Sequence, residues 1–260
     1  MLHLRARLED SFLAALQQEV GVIDASAEEE MAELSITPPV DGSGLSYHLR
    51  DDGTWDQMRE YFVHRSIYHL KEGDPHAWAI PRLSGVAKAA FVAVEFDEFG
   101  GGRADHAHQQ LFGDLMDAAG LDSRYLHYLT AVPAEALAVV NVMSLFGLHR
   151  EFRGGAAVGH FAATEITSSP GGSARLADAL KKMKAPEACV RFYREHVEAD
   201  AVHEQVVRTD VVADLVKHEP HLESDVVFGM RAFDVVESRL ADHMMSRWTA
   251  GESSLRTPLS

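Results

Sequence analysis

The chain has 260 residues, of which 46% are hydrophobic and 25% are charged, a composition typical of a globular protein. The formal net charge of −16 argues against binding to nucleic acid or to an anionic membrane, both of which need a basic surface. The single cysteine, Cys189, excludes an intrachain disulfide and fits a reducing compartment. Because no apolar run approaches membrane-spanning length and the N-terminus lacks an apolar signal core, we expect a cytoplasmic protein without a membrane anchor.

Apolar residues recur at helical spacing from the beginning of the chain. Leu4, Leu8, Phe12, Leu16 and Val20 follow one another at i+4 and predict an amphipathic helix over 4–20. A short acidic helix is predicted over 27–34, where Ser26 and Glu29 have the spacing of a capping box. The dense Pro, Gly and Asp content of residues 37–53 predicts a surface loop.

The middle of the chain predicts a second group of helices. Thr54 can cap a helix over 54–72, and Pro81 opens the next, which the glycines 100–102 interrupt. A helix resumes over 104–119. Pro133 then starts the most apolar helix, and 154–169 forms another.

The C-terminal part continues this pattern. After a turn at 169–173, helices are predicted over 173–182, from Pro186 onward, over 210–217 and over 221–248. No segment has the period-2 pattern of a strand. We therefore predict an all-α, single-domain bundle of about eight to ten helices over 54–248. Residues 1–53 are expected to pack on this bundle, and residues 249–260 to form a flexible tail.

The helix led by Pro186 carries an unusual polar face. His196, Asp200 and His203 are spaced i, i+4 and i+7, so their side chains fall within roughly 60° of one another. Cys189, Tyr193 and Val207 extend the same face and indicate that it points inward. Burying such groups is costly unless something pairs with them, and a metal ion is a common partner. The alternative is an amphipathic helix whose polar stripe happens to contain two histidines.

Further polar residues lie on inward-looking helix faces. They are Glu72, Glu98, Glu165 and His108. Bridging carboxylates and imidazoles from facing helices are how helical bundles hold two iron or manganese ions. Together with Asp200 there are four buried carboxylates. They need roughly two divalent cations, since otherwise several would be protonated.

These residues resemble those of the heme-oxygenase-like diiron oxidases, also called iron-containing redox enzymes. The resemblance rests on the runs HLKEGDPH, EFDEFGGGRADHAHQQLF and HVEADAVHEQ and covers roughly residues 55–247. It implies a heme-oxygenase-like fold, two Fe(II) ions per chain and O2 as co-substrate. It also implies that six residues hold the metal and carry catalysis: Glu72, Glu98, His108, His196, Asp200 and His203. Glu165 resembles a further glutamate that is an iron ligand in some members.

The spacing of Glu98 and His108 does not fit one straight helix. Ten residues leave their side chains about 80° out of phase. The three glycines between them could supply an unwound or bulged turn that brings both to the metal. We expect the segment 99–105 to be mobile without metal, and we expect the helix of His196 to hold chiefly one iron, with Glu98 bridging to the other.

Several neighbouring residues have more than one interpretation. Glu95 is interpreted as a solvated or outer acid rather than a ligand, and His69 as a satisfied core histidine. Tyr193 either hydrogen-bonds a ligand or lines the pocket. Arg65 either meets a substrate carboxylate or is a surface or interface arginine. Cys189 is interpreted as a small core residue, and four others as surface residues: Asp97, Asp105, His106 and His127.

The resemblance implies a non-heme diiron oxygenase or oxidase that uses O2 to oxidise a small amine, an amino-acid-like molecule or a fatty acid, in natural-product biosynthesis. The reaction would be N-oxygenation or oxidative C–C cleavage. An external electron donor and a homodimer are both compatible with it. Two alternatives remain open at this point. One is a metal-independent enzyme of the thiaminase or quinone-cofactor-synthesis type on the same fold, and the other is a non-catalytic iron-binding or interaction protein.

Overall fold

The computed structural model describes residues 2–36, 43–148, 154–168 and 171–259, apart from the side chains of four residues: Leu2, Glu198, Asp200 and Ala201. In these ranges the chain forms helices and turns, with no strand, as the periodicity predicted. The α-helices are α1 (Leu2–Val20), α2 (Ala27–Ile36), α3 (Leu45–Asp51), α4 (Trp55–His69), α5 (Gly85–Glu98), α6 (His108–Ala118), α7 (Ala134–Leu148), α8 (Gly154–Ser168), α9 (Gly171–Lys182), α10 (Glu187–Val206), α11 (Ala213–His218) and α12 (Glu223–Thr249).

Shorter helical segments join some of these helices. The 3₁₀ segments are His76–Arg82, Ala104–His106 and Pro220–Leu222. A π-helical segment, Val207–Val212, connects α10 to α11 without a break in the helical run. Such π segments are often found beside functional sites, and this one begins four residues after His203.

The centre of the bundle is the pair α8 and α12, which pack along much of their length. Every residue of α8 from Gly154 to Ile166 is buried. Small residues allow this closeness, because a Cβ at Gly159 would overlap the backbone of Val226 and a Cβ at Gly229 would overlap the backbone of Ala156. The bundle thus has a tightly packed axis around which the other helices are arranged.

The N-terminal caps predicted for α2 and α4 are both present. The Thr54 hydroxyl accepts a hydrogen bond from the Gln57 N–H at 3.2 Å, and the Gln57 side chain accepts from the Thr54 N–H. Ser26 and Glu29 form the same reciprocal pair at the start of α2. Each cap satisfies two backbone donors that the first helical turn would otherwise leave unpaired.

Among the boundaries that differ from the sequence predictions, four change an element or the position of a ligand, and three of these lie where Gly or Pro was interpreted as a break or a helix start. The helix α3 forms inside the predicted loop 37–53, of which residues 37–42 lie outside the described residues. Pro81 lies inside a 3₁₀ segment, so α5 begins later, at Gly85. The helix α9 begins at Gly171, within the predicted turn. The fourth difference is at Glu72, which follows the end of α4 instead of lying on it.

The chain ends also differ from expectation. Leu4 and Leu8, predicted as part of an apolar face, are exposed, whereas Leu16 further along α1 is buried. Ser254 and Leu255, in the segment expected to be frayed, are buried against the bundle. The C-terminal segment is therefore a packed part of the fold at these residues.

Among the helices of the described residues, none combines the length and apolar character needed to cross a membrane.

Candidate metal centre

The glycine run between α5 and α6 brings two predicted ligands together. Gly100, Gly101 and Gly102 all have positive φ, at 84°, 60° and 84°, a region that side-chain-bearing residues rarely adopt. The chain can therefore leave α5 at Glu98 and enter α6 at His108 in a new direction. Glu98 Oε2 lies 2.9 Å from His108 Nδ1. The glycines thus allow the two side chains to meet, and the 80° mismatch does not apply because the two residues lie on different helices.

The first group of potential ligands lies at the C-terminal end of α4. Glu72 Oε2 is 2.8 Å from His69 Nδ1 and 2.7 Å from His108 Nε2, and the two imidazole nitrogens are 2.9 Å apart. The other carboxylate oxygen of Glu72 accepts a hydrogen bond from the Tyr68 hydroxyl at 2.6 Å. This second contact fixes the orientation of the carboxylate toward the two histidines.

The second group joins α10 to the same place. His196 Nε2 is 2.8 Å from His108 Nδ1, which also faces Glu98. His196 Nδ1 donates a hydrogen bond to the Phe192 carbonyl at 2.5 Å. Because Nδ1 carries the proton in this arrangement, Nε2 has its lone pair directed into the group, as a metal-binding imidazole requires.

The third group lies about two turns further along α10, around His203. His203 Nδ1 is 3.2 Å from Glu165 Oε2 and 3.6 Å from Glu98 Oε1. Its other nitrogen, Nε2, is 3.4 Å from Asp97 Oδ2, whose side chain is mainly exposed. His196 and His203 thus fall in different groups, and Glu98 is shared between the two.

The donor atoms fit metal ions. In each of the three groups the ligand atoms lie within 4.8 Å of one another. Transition-metal bonds of about 2 Å place two ligands of one ion roughly 3 Å apart, which is close to the separations seen here. Moreover, Glu98 Oε2 makes no hydrogen bond of normal geometry although His108 is adjacent. Carboxylate oxygens together with imidazole nitrogens are a donor set that suits iron or manganese.

The electrostatics of the site show what holds it together without metal. Burial works against a charge on His108, but Glu72 and Glu98 outweigh it and raise the pKa of His108 to about 10. In the same way, burial opposes a charge on His203, while Glu165 and Glu98 raise its pKa to about 9. Two imidazolium ions therefore neutralise the acids at neutral pH. Divalent cations would replace these protons.

For three other groups of the site, burial shifts the pKa toward the neutral form. Burial raises the pKa of Glu165 to about 7, a shift that His203 opposes and Glu98 reinforces. Burial and the nearby His108 lower the pKa of His196. Burial lowers the pKa of His69 to about 4, in spite of Glu72. Both histidines are therefore neutral, the form in which imidazole binds a metal.

Six of the seven predicted ligands can be placed, and all six fall in these groups. Asp200 lies within α10, but its side chain is outside the described residues. His69 was interpreted as a satisfied core histidine, yet it contributes to the first group. The signal for it in the sequence was its position three residues before Glu72.

Glu95 is buried, which excludes its interpretation as a solvated acid. Neither of its carboxylate oxygens has a hydrogen-bond partner, and it belongs to none of the three groups. Burial and the neighbouring acids, of which Glu98 is the strongest, raise its pKa to about 9. Glu95 is therefore a protonated acid beside the centre.

The other candidates have structural explanations. Arg65 is not at the surface: it forms a two-pronged ion pair with Glu237 at 2.8 and 2.7 Å. Cys189 is buried, as expected, and donates to the Leu115 carbonyl. Asp97, Asp105 and His127 are exposed as predicted, and His106 is half-buried.

A cavity of about 330 Å³ adjoins the centre, a volume in the range of small-molecule sites. Its lining includes Tyr193 and six residues of the three groups: His69, Glu72, Glu98, His108, Glu165 and His196. The Tyr193 hydroxyl is buried and makes no hydrogen bond of normal geometry. Tyr193 thus lines the pocket, one of the two roles expected of it.

Together, the all-α bundle and its buried carboxylates and imidazoles define a helical protein suited to bind transition metals. The family model of iron-containing redox enzymes matches residues 59–237, and the chain belongs to this family. The protein is accordingly an oxidoreductase on the heme-oxygenase-like fold, in a family that contains iron. No curated protein matches the chain significantly.

Proposed function

We propose that this protein is a non-heme diiron oxygenase or oxidase that uses O2 to oxidise a small amine, an amino-acid-like molecule or a fatty acid. The observation that carries the proposal is the shared carboxylate of Glu98. It faces the imidazoles of both His108 and His203, so that two donor groups meet at one side chain. A bridging carboxylate between two imidazole-bearing groups is the pattern of dinuclear centres in helical bundles.

Each ion has its own set of donors in this proposal. Glu98, His108 and His196 would hold one ion, and Glu98, Glu165 and His203 the other. Glu72 and His69 would add donors on the side of His108, and Asp200 on α10 would complete the set. Two Fe(II) ions bound there would supply the electrons and the Lewis acidity needed to reduce O2 beside the substrate.

The chain's own residues prepare the site. Phe192 fixes the ring of His196 through its carbonyl, and Tyr68 fixes the carboxylate of Glu72. Phe112 and Phe192 are buried and pack against His69. The cavity, whose lining includes His69 and Phe192, would admit the substrate. N-oxygenation and oxidative C–C cleavage in natural-product biosynthesis remain the reaction classes we propose.

The test begins with metal content. The protein is loaded with Fe(II) under anaerobic conditions, and iron per chain is measured after removal of unbound metal. We expect about two ions per chain, and a marked loss in His196→Ala. The matched control is His64→Ala. His64 is also buried, but it contacts Ser254 instead of the centre, so its variant should keep its iron.

The second step is rapid mixing of the iron-loaded protein with O2 and with candidate amines, amino acids or fatty acids. A substrate-dependent absorption transient or turnover is expected. Iron binding without any substrate-dependent reaction would favour a non-catalytic iron-binding protein. Turnover by protein free of metal would favour a metal-independent enzyme on the same fold. Either result would overturn the proposal.

A further inference from the structure

One arginine in the cavity lacks an ionic partner. The cavity beside the centre is lined by charged residues from α4, α8, α9 and α12, among them Arg65, Arg175, Asp234 and Glu237. Arg65 is neutralised by Glu237 in the two-pronged pair. No described carboxylate lies within ion-pair distance of Arg175. Once cations neutralise the acids of the centre, Arg175 is the cavity's remaining uncompensated positive charge among the described residues.

The guanidinium of Arg175 is held in place but not saturated. Its Nε donates to the Ser46 hydroxyl at 2.9 Å, and its Cζ lies 4.4 Å from the centre of the Tyr47 ring. Its Nη2 is buried and has no hydrogen-bond partner. A buried N–H donor that is left unpaired is destabilising, and more so when the group is charged. The arrangement is that of a rigid fork with a free prong, which a planar anion would complete.

Two further features of this end of the cavity favour an anion. Gly172 and Ser173, in the first turn of α9, line the same space, and a helix N-terminus carries a partial positive charge. Burial and the nearby Arg50 lower the pKa of Arg175, which means that the guanidinium lacks stabilisation in its present surroundings. An anion there would be stabilised by both the guanidinium and the helix.

The cavity that contains both Arg175 and residues of the centre has a largely apolar lining. This lining includes Leu45, Leu49, Leu176, Phe192 and Phe233. The contacts of Arg175 are with α3, which contributes no donor to the three metal groups. A molecule that fills the cavity would therefore have one end at Arg175, an apolar body and its other end at the centre.

We propose that Arg175 binds the carboxylate of the substrate, and that the substrate is an organic carboxylate whose apolar chain leads to the metal centre. This inference rests on the proposed function in one respect, because the end of the molecule away from Arg175 is taken as the reacting end. It narrows the substrate classes to carboxylates, such as fatty acids or amino acids, at the expense of simple amines.

The test uses three probes of equal chain length: octanoate, octylamine and octan-1-ol. Their dissociation constants are measured by calorimetry with metal-free protein, in which no metal ion can bind the carboxylate, and again after loading with Mn(II). We expect octanoate to bind more tightly than the other two. Arg175→Met should weaken octanoate binding by at least about tenfold and leave octan-1-ol binding unchanged, since one charge-assisted interaction is lost.

The matched control is Arg50→Met. Arg50 lies near the ring of the same residue, Tyr47, but pairs with Asp51 and does not line the cavity. The Arg50→Met variant should bind octanoate as tightly as the unaltered protein does. Arg175→Lys keeps the charge without the fork and should show an intermediate loss. Should Arg175→Met fail to fold, the lysine variant and the probe preference of the unaltered protein still decide.

Octanoate binding that is equal in the unaltered protein and in Arg175→Met would overturn the inference, as would a preference for octylamine. Its failure is distinguishable from that of the proposed function. If the protein binds about two irons and reacts with O2 but octanoate binds equally well without Arg175, only the inference fails. If octanoate needs Arg175 but the protein holds no iron, only the proposed function fails.

Discussion

Two buried polar clusters lie near opposite ends of α4, and they are satisfied in different ways. Near its start, the carboxylate of Glu60 accepts hydrogen bonds from the Trp248 indole, the Ser254 N–H and the Ser253 and Ser254 hydroxyls. These donors lower the pKa of Glu60 in spite of its burial. Just past the end of α4, Glu72 faces imidazoles in a cluster that contains two more acids.

The difference lies in the donors that the protein provides. Around Glu60, neutral N–H and O–H groups point at the carboxylate, so the cluster is complete without any other partner. Around Glu98, the neighbouring side chains are mostly carboxylates and imidazoles, and only protons on His108 and His203 balance the negative charge of the carboxylates. A buried carboxylate among N–H and O–H groups stabilises the fold, whereas buried carboxylates among imidazoles are arranged to bind a cation.

The largest expected effect is at Glu98. Glu98→Gln should reduce the iron content from about two ions per chain to less than one, because this side chain belongs to two donor groups. Iron is measured by elemental analysis after anaerobic loading. Glu60→Gln is the control from the other cluster and should keep its iron. If the two variants bound equal amounts of iron, the contrast between the clusters would be wrong.

The glycine run that positions Glu98 and His108 gives the next effect. In Gly100→Ala the added Cβ would overlap the Arg103 carbonyl at a φ of 84°, so we expect a loss of about 3 kcal/mol or more in the free energy of unfolding. Gly101→Ala meets only Phe96, at 3.9 Å, and should cost about 1 kcal/mol. Urea unfolding measures both, and equal losses would contradict the positions assigned to these glycines.

Glu60→Gln tests the other cluster. Its amide would be neutral, and its NH2 group would face donors that now meet a carboxylate oxygen. We expect a loss of about 2–3 kcal/mol in the free energy of unfolding, since charge-assisted hydrogen bonds are lost. Urea unfolding of protein without metal isolates this effect. An unchanged stability would show that the C-terminal segment is not held by Glu60.

The centre was largely predictable from the sequence because most of its residues lie on regular helices. The spacing of His196 and His203 predicted a shared inward face, and the glycines between Glu98 and His108 predicted a break that brings them together. His69 was missed because Glu72 follows the end of α4, where helical phase no longer tells which side chains meet. Its role depends on α6, which lies far along the chain.

The errors in the fold have a similar cause. The burial of Ser254 depends on Glu60, which is 194 residues away, and nothing local in the C-terminal segment predicts it. The helix α3 lies in a stretch rich in Gly and Asp, which locally favours a loop. Packing of α3 against α9 outweighs this local preference. The free prong of Arg175 likewise could not be predicted, because it depends on which residues from other helices fail to reach it.

The smallest expected effect is at Glu95, which has neither the donors of Glu60 nor the imidazoles of the centre. Its pKa of about 9 in the folded protein lies above its ordinary value of 4.5. The folded state therefore retains a proton that the unfolded chain loses, and the stability falls as the pH rises from 4.5 to about 9. Glu95→Gln removes this penalty, and in metal-free protein at pH 8 it should stabilise the fold by about 1–2 kcal/mol. Urea unfolding at pH 5 and pH 8 gives the comparison, since the gain should shrink at the lower pH. A gain that is the same at both pH values would mean that Glu95 is not the protonated acid beside the centre.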